Sequence, residues 1–499
     1  MRLLRQSIWW IWLLAVLWPP AAGAQEYSWL AYGDFRGQFE PCGCDPRTDL
    51  GGVQRLAGFA LRERALNPEV LFFDLGNNIA PPKADFNADA NTNAATQGIK
   101  DRFLLEALIR INPAAVLPGR YEMLRSRWMG DAWTRLKAAA NVGEPLPYVL
   151  SNLKEGLGPQ WLKESAKPFI KIKGVAVFGF TWDPALASFL LPATSPAGIR
   201  RLKILGGNPE LAGLHKILLF NGPDPQLKAL IKLGLFDEVI SSNRASDTAK
   251  PDQPDRASEG RSIVRLTIPR GAVVLQSQLG GQGVLRGGAA RRGEAKSLEA
   301  IFSKGSSQTS PLPSFPPPAL ALAPQKNVSW LERESLNPEV WSAFFSAYES
   351  ALKDSFGVRA KIRSADLANT PFSGPEACKG CHAKAYDVWA ASKHANAFKD
   401  LIDKGKQHDA ECVGCHVLGG SEKGGFVSQE ASPQFMSVQC ENCHGPRKEH
   451  AANPTVKPVW RPAGNDFSKI CVGCHHPPHS PEFNFKAYWG RITHGHMKD

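Results

Sequence analysis

The chain has 499 residues, 43% of them hydrophobic, with 59 Lys and Arg against 47 Asp and Glu for a formal net charge of +12. That length allows two or three domains. The basic balance comes with no nucleic-acid-binding motif, and no apolar run approaches the roughly 18 residues that a bilayer span needs.

The first 24 residues read as an export signal. Arg2 and Arg5 precede an apolar run from Ile8 to Trp18, and Ala22-Gly23-Ala24 supplies the small residues of a cleavage site. Cleavage before Gln25 is expected, with retention as an anchor the competing reading. No Cys follows the small residues, which argues against a lipoprotein anchor. The mature chain is expected to be periplasmic.

From residue 25 to about 280 short β-rich runs alternate with helical stretches, the pattern of an α/β domain. Strands are predicted at Ser28–Tyr32, Val70–Leu75, Ala114–Leu117, Tyr148–Leu150, Phe169–Phe180, Lys216–Phe220, Phe236–Ile240, Ser262–Ile268 and Ala272–Leu275. Helices are predicted at Leu56–Leu66, Phe103–Arg110 and Pro225–Leu233.

Several predicted strand ends carry short motifs: Gly33-Asp34-Phe35-Arg36, Asp74-Leu75-Gly76-Asn77-Asn78, Pro118-Gly119-Arg120-Tyr121-Glu122, Phe220-Asn221-Gly222-Pro223 and Ser241-Ser242-Asn243-Arg244. Their order resembles the calcineurin-like metallophosphoesterases, especially the 5′-nucleotidase branch. That resemblance implies a phosphoesterase-type α/β sandwich whose strand ends would hold two metals. Every motif histidine of the family is missing here, and arginine stands at 36, 120 and 244. Guanidinium groups would repel divalent cations, so the resemblance implies a fold without its catalysis, kept for docking or for clamping an anion. Scattered surface arginines are the plain alternative. His215, the only histidine before residue 382, falls before a strand.

Cys42 and Cys44, in Pro41-Cys42-Gly43-Cys44, follow the first strand. They could form a strained and easily reduced disulfide, hold a soft metal such as copper, or make a plain structural bridge.

Residues 281–326 are Gly- and Ser-rich and then Pro-rich, as in a linker. Residues 327–370 read as a helical connector, in which Trp341, Phe344, Phe345 and Tyr348 share a core-facing spacing. In 371–499 the composition changes again. Eight of the ten cysteines and ten of the twelve histidines lie between Cys378 and His494, with His496 just beyond.

Each cysteine pair there is C-x-x-C followed at once by His. The four are Cys378 and Cys381 with His382, Cys412 and Cys415 with His416, Cys440 and Cys443 with His444, and Cys471 and Cys474 with His475. Two thiols three apart can add to the two vinyl groups of a haem, and the next His reaches the iron. Zinc knuckles or disulfides would not require a His after every second Cys. Four covalent haem c groups are therefore expected, with those four histidines as proximal ligands. Distal candidates are His394, His450 and His494, with His479 and His496 as rivals. His408 and His476 read as solvated or supporting residues.

The pattern from the first motif through Trp389, Ser392 and His394 to Val438-Gln439-Cys440-Glu441 and His444-Gly445-Pro446 resembles the tetrahaem cytochromes that accept electrons from hydroxylamine oxidoreductase. It also resembles related modules in many multihaem proteins. The resemblance implies a mainly α, loop-rich tetrahaem module with mostly bis-His irons. The module has fifteen Lys and Arg against thirteen Asp and Glu, so most of the net positive charge falls on the N-terminal part. That surface could attract an acidic redox partner or anionic lipid. The expected function is electron transfer with redox partner proteins, periplasmic or membrane-associated cytochromes among them. The alternative is an oxidoreductase acting on a small nitrogen or sulfur species at a five-coordinate haem.

Overall fold

The computed structural model describes residues 28–40, 52–82, 90–138, 146–241, 264–267, 273–276, 283–288, 328–330, 338–456, 466–476, 480 and 482–494. The export signal, Cys42, Cys44, Arg244, His479, His496 and most of the 281–326 segment lie outside the described residues.

Two sheets organise the N-terminal part. In the first, β1 (Ser28–Tyr32), β2 (Leu71–Asp74) and β3 (Ala115–Val116) run parallel. Two antiparallel strands, β10 (Gly283–Gly288) and β11 (Val328–Trp330), complete the order β11-β10-β1-β2-β3. The second sheet has the order β4-β5-β6-β7-β9-β8, from β4 (Ile170–Ile172), β5 (Val175–Thr181), β6 (His215–Asn221), β7 (Glu238–Ser241), β8 (Val264–Thr267) and β9 (Val273–Gln276). Its four central strands are parallel and its edges antiparallel.

Alternation along the strands builds two cores from the second sheet. Val175, Val177, Ile217 and Leu219 join the core shared with β1–β3, while Ala176, Phe178, Leu218 and Phe220 face a separate core under two helices. Helices α1 (Val53–Leu66) and α2 (Ala90–Ile111) pack into the first core. Next in chain order, α3 (Ser126–Ala138) buries Met129 and Trp133 in the same core. Helices α4 (Pro196–Gly206) and α5 (Asp224–Lys232) cover the other face with Leu202, Leu227 and Leu230. This is an α/β sandwich, as the sequence implies.

Three expectations change in detail. Phe169–Phe180 is a hairpin rather than one strand, because Lys173 and Gly174 turn the chain with φ of 45° and 81°. Tyr148–Leu150 makes only isolated bridges, to Val116 and Lys167. The segment expected to be a linker contributes β10, and the connector contributes β11, both paired into the first sheet. The Gly-rich β10 gives no period-2 apolar signal and β11 is only three residues long, so pairing of β10 with β1, and of β11 with β10, makes them strands.

The connector helix α6 (Pro338–Arg363) joins the two halves of the molecule. Its Trp341, Phe344, Phe345 and Tyr348 pack on Phe39 and Phe103, with Tyr348 and Phe39 ring centroids 4.1 Å apart. Two turns further on, Phe356 enters the small core of the C-terminal module, with Phe372, Phe398, Val413 and Phe435. That module is built of short helices and loops. Among the described residues no helix is long and apolar enough to cross a membrane.

Candidate functional site

The loops after β1, β2 and β3 converge, held by backbone bonds from Asp34 to Gly76 (2.7 Å) and Arg36 to Asn77 (2.9 Å). Asp34, Arg36 and Asn77 all have positive φ, between 52° and 61°, an arrangement that only the surrounding bonds can sustain. Glu122 is buried and accepts from the backbone amides of Asn77 (3.1 Å) and Asn78 (2.6 Å). Asp74 is also buried. It accepts from Gly76 N–H at 2.8 Å and from the Asn78 amide at 2.9 and 3.0 Å, yet burial raises its pKa to about 7.

Arg36 and Arg120 at these strand ends are ion-paired within the chain. Arg36 Nε lies 3.0 Å from Asp34, and Arg120 Nε lies 2.8 Å from Asp183. Two of the three arginines expected to clamp an anion are thus engaged with the chain's own carboxylates. Among the described residues the strand ends do not present a two-metal centre. The Asp34 carboxylate, which a metal would need, already carries a guanidinium, and no group of three metal-binding side chains occurs among the described residues. His215 opens β6, 3.8 Å from Glu238 and remote from the strand ends.

In the C-terminal module the cysteine–histidine motifs sit on short helical turns. Cys412 and Cys415 lie on Ala410–His416, Cys440 and Cys443 on Cys440–His444, and Cys471 ends Phe467–Cys471. Cys378 lies on Glu376–Lys379, with His382 just before the helix Ala383–Ala390. All eight thiols are partly or fully exposed. The turns are neighbours: the thiols of Cys378 and Cys440 interact, as do those of Cys415 and Cys474. Cys443 and Cys471 lie within electrostatic range of each other.

The first motif departs from an expectation of equivalent sites. Its second thiol, Cys381, lies past the end of the Glu376–Lys379 helix and is exposed, as is His382, whereas Cys378 is half-buried. The backbone still closes the turn: Cys381 N–H donates to Cys378 O at 3.3 Å, and His382 N–H to the same carbonyl at 2.9 Å. Cys474 is the other exposed thiol, but it has Cys415 as a neighbour. Cys381 is therefore placed beside Cys378 by the turn alone, because packing from the rest of the module reaches only the first thiol of that pair. Spacing in the sequence gives all four motifs the same form and carries no signal of this difference.

The residues between and beside the cysteines tie the turns together. Glu441, between Cys440 and Cys443, is buried and accepts from Ser373 N–H (3.0 Å), Gly374 N–H (2.9 Å) and Arg447 N–H (2.7 Å). It anchors the segment that leads to the first motif. Asn442 donates to Val417 O at 3.0 Å, binding the third motif to the second. Trp389 Nε1 donates to Val438 O at 2.8 Å, fixing the His394 turn against the third motif. None of these roles follows from spacing, since the x positions of C-x-x-C carry no constraint of their own.

The histidines fit haem iron. His416 Nδ1 faces Ala397 O at 2.6 Å, His450 Nδ1 faces Val456 O at 2.9 Å and His494 Nδ1 faces Ile492 O at 3.2 Å. A carbonyl can only accept, so each bond puts the proton on Nδ1 and leaves the Nε2 lone pair for a metal. Ser480 Oγ lies 3.0 Å from His475 Nδ1, a hydroxyl that can accept from or donate to the ring. The rings of His394 and His475 are 6.0 Å apart, and those of His444 and His494 are 5.8 Å apart. A metal held between two imidazole nitrogens, at roughly 2.0–2.1 Å from each, sets ring centres about 6 Å apart. Burial lowers the pKa of His394, His444 (to about 4) and His475, which favours the neutral ligand form.

Paired thiols, adjacent histidines and ligand-ready imidazoles fit covalently bound haem c, and the region is similar to multihaem c-type cytochromes, a class that works in electron transfer. Residues 377–445 match the family described as cytochrome c554 and c-prime. The chain is also similar to cytochrome c-554 of Nitrosomonas europaea, 30% identical over 138 residues, covering 22% of this chain and 59% of that protein. The chain thus spans less than two thirds of that relative's length.

Solved structures of phosphoesterases are similar to the chain at low identity. They include the NAD nucleotidase of Haemophilus influenzae (15% identical, 53% of this chain and 47% of that one, TM-score 0.37). A 5′-nucleotidase precursor from Thermus thermophilus is 17% identical over 52% of this chain and 50% of its own, with a TM-score of 0.35. The calcineurin-like phosphoesterase YfkN of Bacillus subtilis is 15% identical over 65% and 97%, with a TM-score of 0.36.

Proposed function

We propose that the chain is an exported, periplasmic tetrahaem electron carrier whose N-terminal domain is a non-catalytic scaffold for docking redox partner proteins. Cys378 and Cys381, Cys412 and Cys415, Cys440 and Cys443, and Cys471 and Cys474 would hold four haems, with His382, His416, His444 and His475 as proximal ligands. When bound, haem supplies one-electron exchange at its iron. His394 would take the distal face opposite His475, and His494 the face opposite His444. His450, its Nδ1 anchored, is a third distal ligand, and His479 or His496 would supply the fourth. The observation that carries this reading is the pair of facing histidine rings at 6.0 and 5.8 Å, each joining a motif histidine to one outside the motifs.

Thiol adjacency supports an order for the path. First motif meets third, third meets fourth and fourth meets second. Electrons would then enter or leave at the first and second motifs, at the two ends of that series.

A low-temperature electron paramagnetic resonance spectrum of the oxidised, haem-loaded protein, calibrated by iron content, tests the reading. Four low-spin irons are expected. High-spin iron equivalent to a whole site would instead mean an open coordination position, and would favour an oxidoreductase acting on a small nitrogen or sulfur species. Haem content below four per chain would refute the tetrahaem assignment.

A further inference from the structure

The second motif is gripped by the N-terminal domain. Lys100, on α2, is only 8% exposed, and its Nζ lies 2.7 Å from Asp409 and 2.7 Å from Glu411. Asp409 is 4% exposed and also caps the helix Ala410–His416, accepting from Glu411 N–H at 3.0 Å. Glu411 directly precedes Cys412 in the chain. A second bridge, Lys406 to Glu40, closes the same seam beside Tyr348 and Phe39. None of the other three motifs has an ion pair to the N-terminal domain among the described residues. An ion pair this deep loses much of its solvent screening, so its charges act strongly on whatever lies beside them.

We propose that Lys100 sets the reduction potential of the haem carried by Cys412 and Cys415, so that the N-terminal domain tunes one haem of the series selectively. This inference rests on the haem assignment above. Three charges surround the motif's first turn, one positive and two negative. Reduction lowers the charge of a haem by one, so a nearby cation favours the ferrous state and a nearby anion the ferric state. Lys100→Met changes the local sum from −1 to −2 at a pH high enough to keep the unpaired, buried Asp409 ionised, so the titration is run at alkaline pH. Glu411→Gln changes it from −1 to 0, and it leaves the buried Lys100–Asp409 pair intact.

The test is a spectroelectrochemical titration of the full-length, haem-loaded protein and of the two variants, with haem content measured for each. The expected result is one midpoint moving down in Lys100→Met and the same midpoint moving up, by less, in Glu411→Gln, with the others fixed. Glu411 is 40% exposed, which is why its shift is the smaller. Opposite signs at one haem separate an electrostatic effect from loosened packing, which would move both variants the same way. Midpoints that stay in place, or shift together in both variants, overturn the inference while leaving the haem assignment standing. A loaded protein with no haem on Cys412 and Cys415 overturns both.

Discussion

The two halves of this molecule solve the problem of a core in different ways. The N-terminal domain buries Trp29, Phe72, Phe73, Phe178, Phe180 and Phe220 almost completely, and its polar strand-end loops are paired with one another. The C-terminal module buries eight apolar residues of its own with Phe356 of α6 in one small cluster, and its cysteines and most of its histidines lie around it. One half is finished by its own side chains. The other is arranged around groups that the polypeptide does not supply, so its stability belongs to the haem-loaded protein.

That contrast is broken or sharpened most strongly by removing the haems. A full-length variant with all eight motif cysteines replaced by Ala should lose amide protection throughout 370–494 and keep it in β1, β2, β5 and β6. Hydrogen exchange read by mass spectrometry checks this, and a protected, haem-free module would end the comparison.

The seam comes next. Phe39→Ala removes the ring that Tyr348, Phe345 and Phe344 pack against, and should cost about 3–5 kcal/mol in denaturant unfolding. Because α6 reaches both cores, the loss should appear in both halves. A transition shift confined to the N-terminal sheet would mean that α6 does not couple them.

Asp74 gives a pH signature to the N-terminal half alone. Its folded pKa, raised to about 7 by burial, lies above the ordinary 3.8, so the native state holds a proton that the unfolded state has released. The associated stability is complete below about pH 4 and is lost as pH rises through 7. At ~1.36 kcal/mol per unit this amounts to roughly 4 kcal/mol. Asp74→Asn should flatten that slope, and unfolding curves at several pH values measure it. A slope unchanged in the variant would assign the effect to other groups.

The smallest expected effect is the response to divalent metal. Arg36 and Arg120 occupy the carboxylates near the strand ends, so millimolar Mn²⁺ or Zn²⁺ should leave the N-terminal melting transition where it is. A saturable rise would show a working metal centre and reverse the reading of that cluster.

Much of the candidate site is legible in the primary structure. The thiol pairs and their following histidines are covalently adjacent, so four motifs can be read without any fold. That Cys381 is exposed while Cys378 is half-buried could not be read, because burial depends on what packs over each thiol and not on the spacing between them. His394 and His494 could be named as distal candidates, yet their partners His475 and His444 could not, because those pairings cross 81 and 50 residues of chain. The arginines at 36 and 120 were visible as departures from a phosphoesterase pattern. Their pairing with Asp34 and Asp183 was not, since an anion clamp and an internal ion pair require the same residue type.

The amino-acid order by itself determined the chemistry of the attachment points, the α/β character of the first half and the aromatic face of α6, because each depends on neighbours within one helical turn or one strand. Tertiary structure alone decided that β10 and β11 complete the first sheet, that Glu441 and Asn442 bind one motif to another, and that Lys100 closes on Asp409 and Glu411. Those partners are far apart in the chain, and a polar side chain does not record which distant group will neutralise it. Burial settles that choice, by making any unpaired charge or hydrogen-bonding group too costly to leave alone.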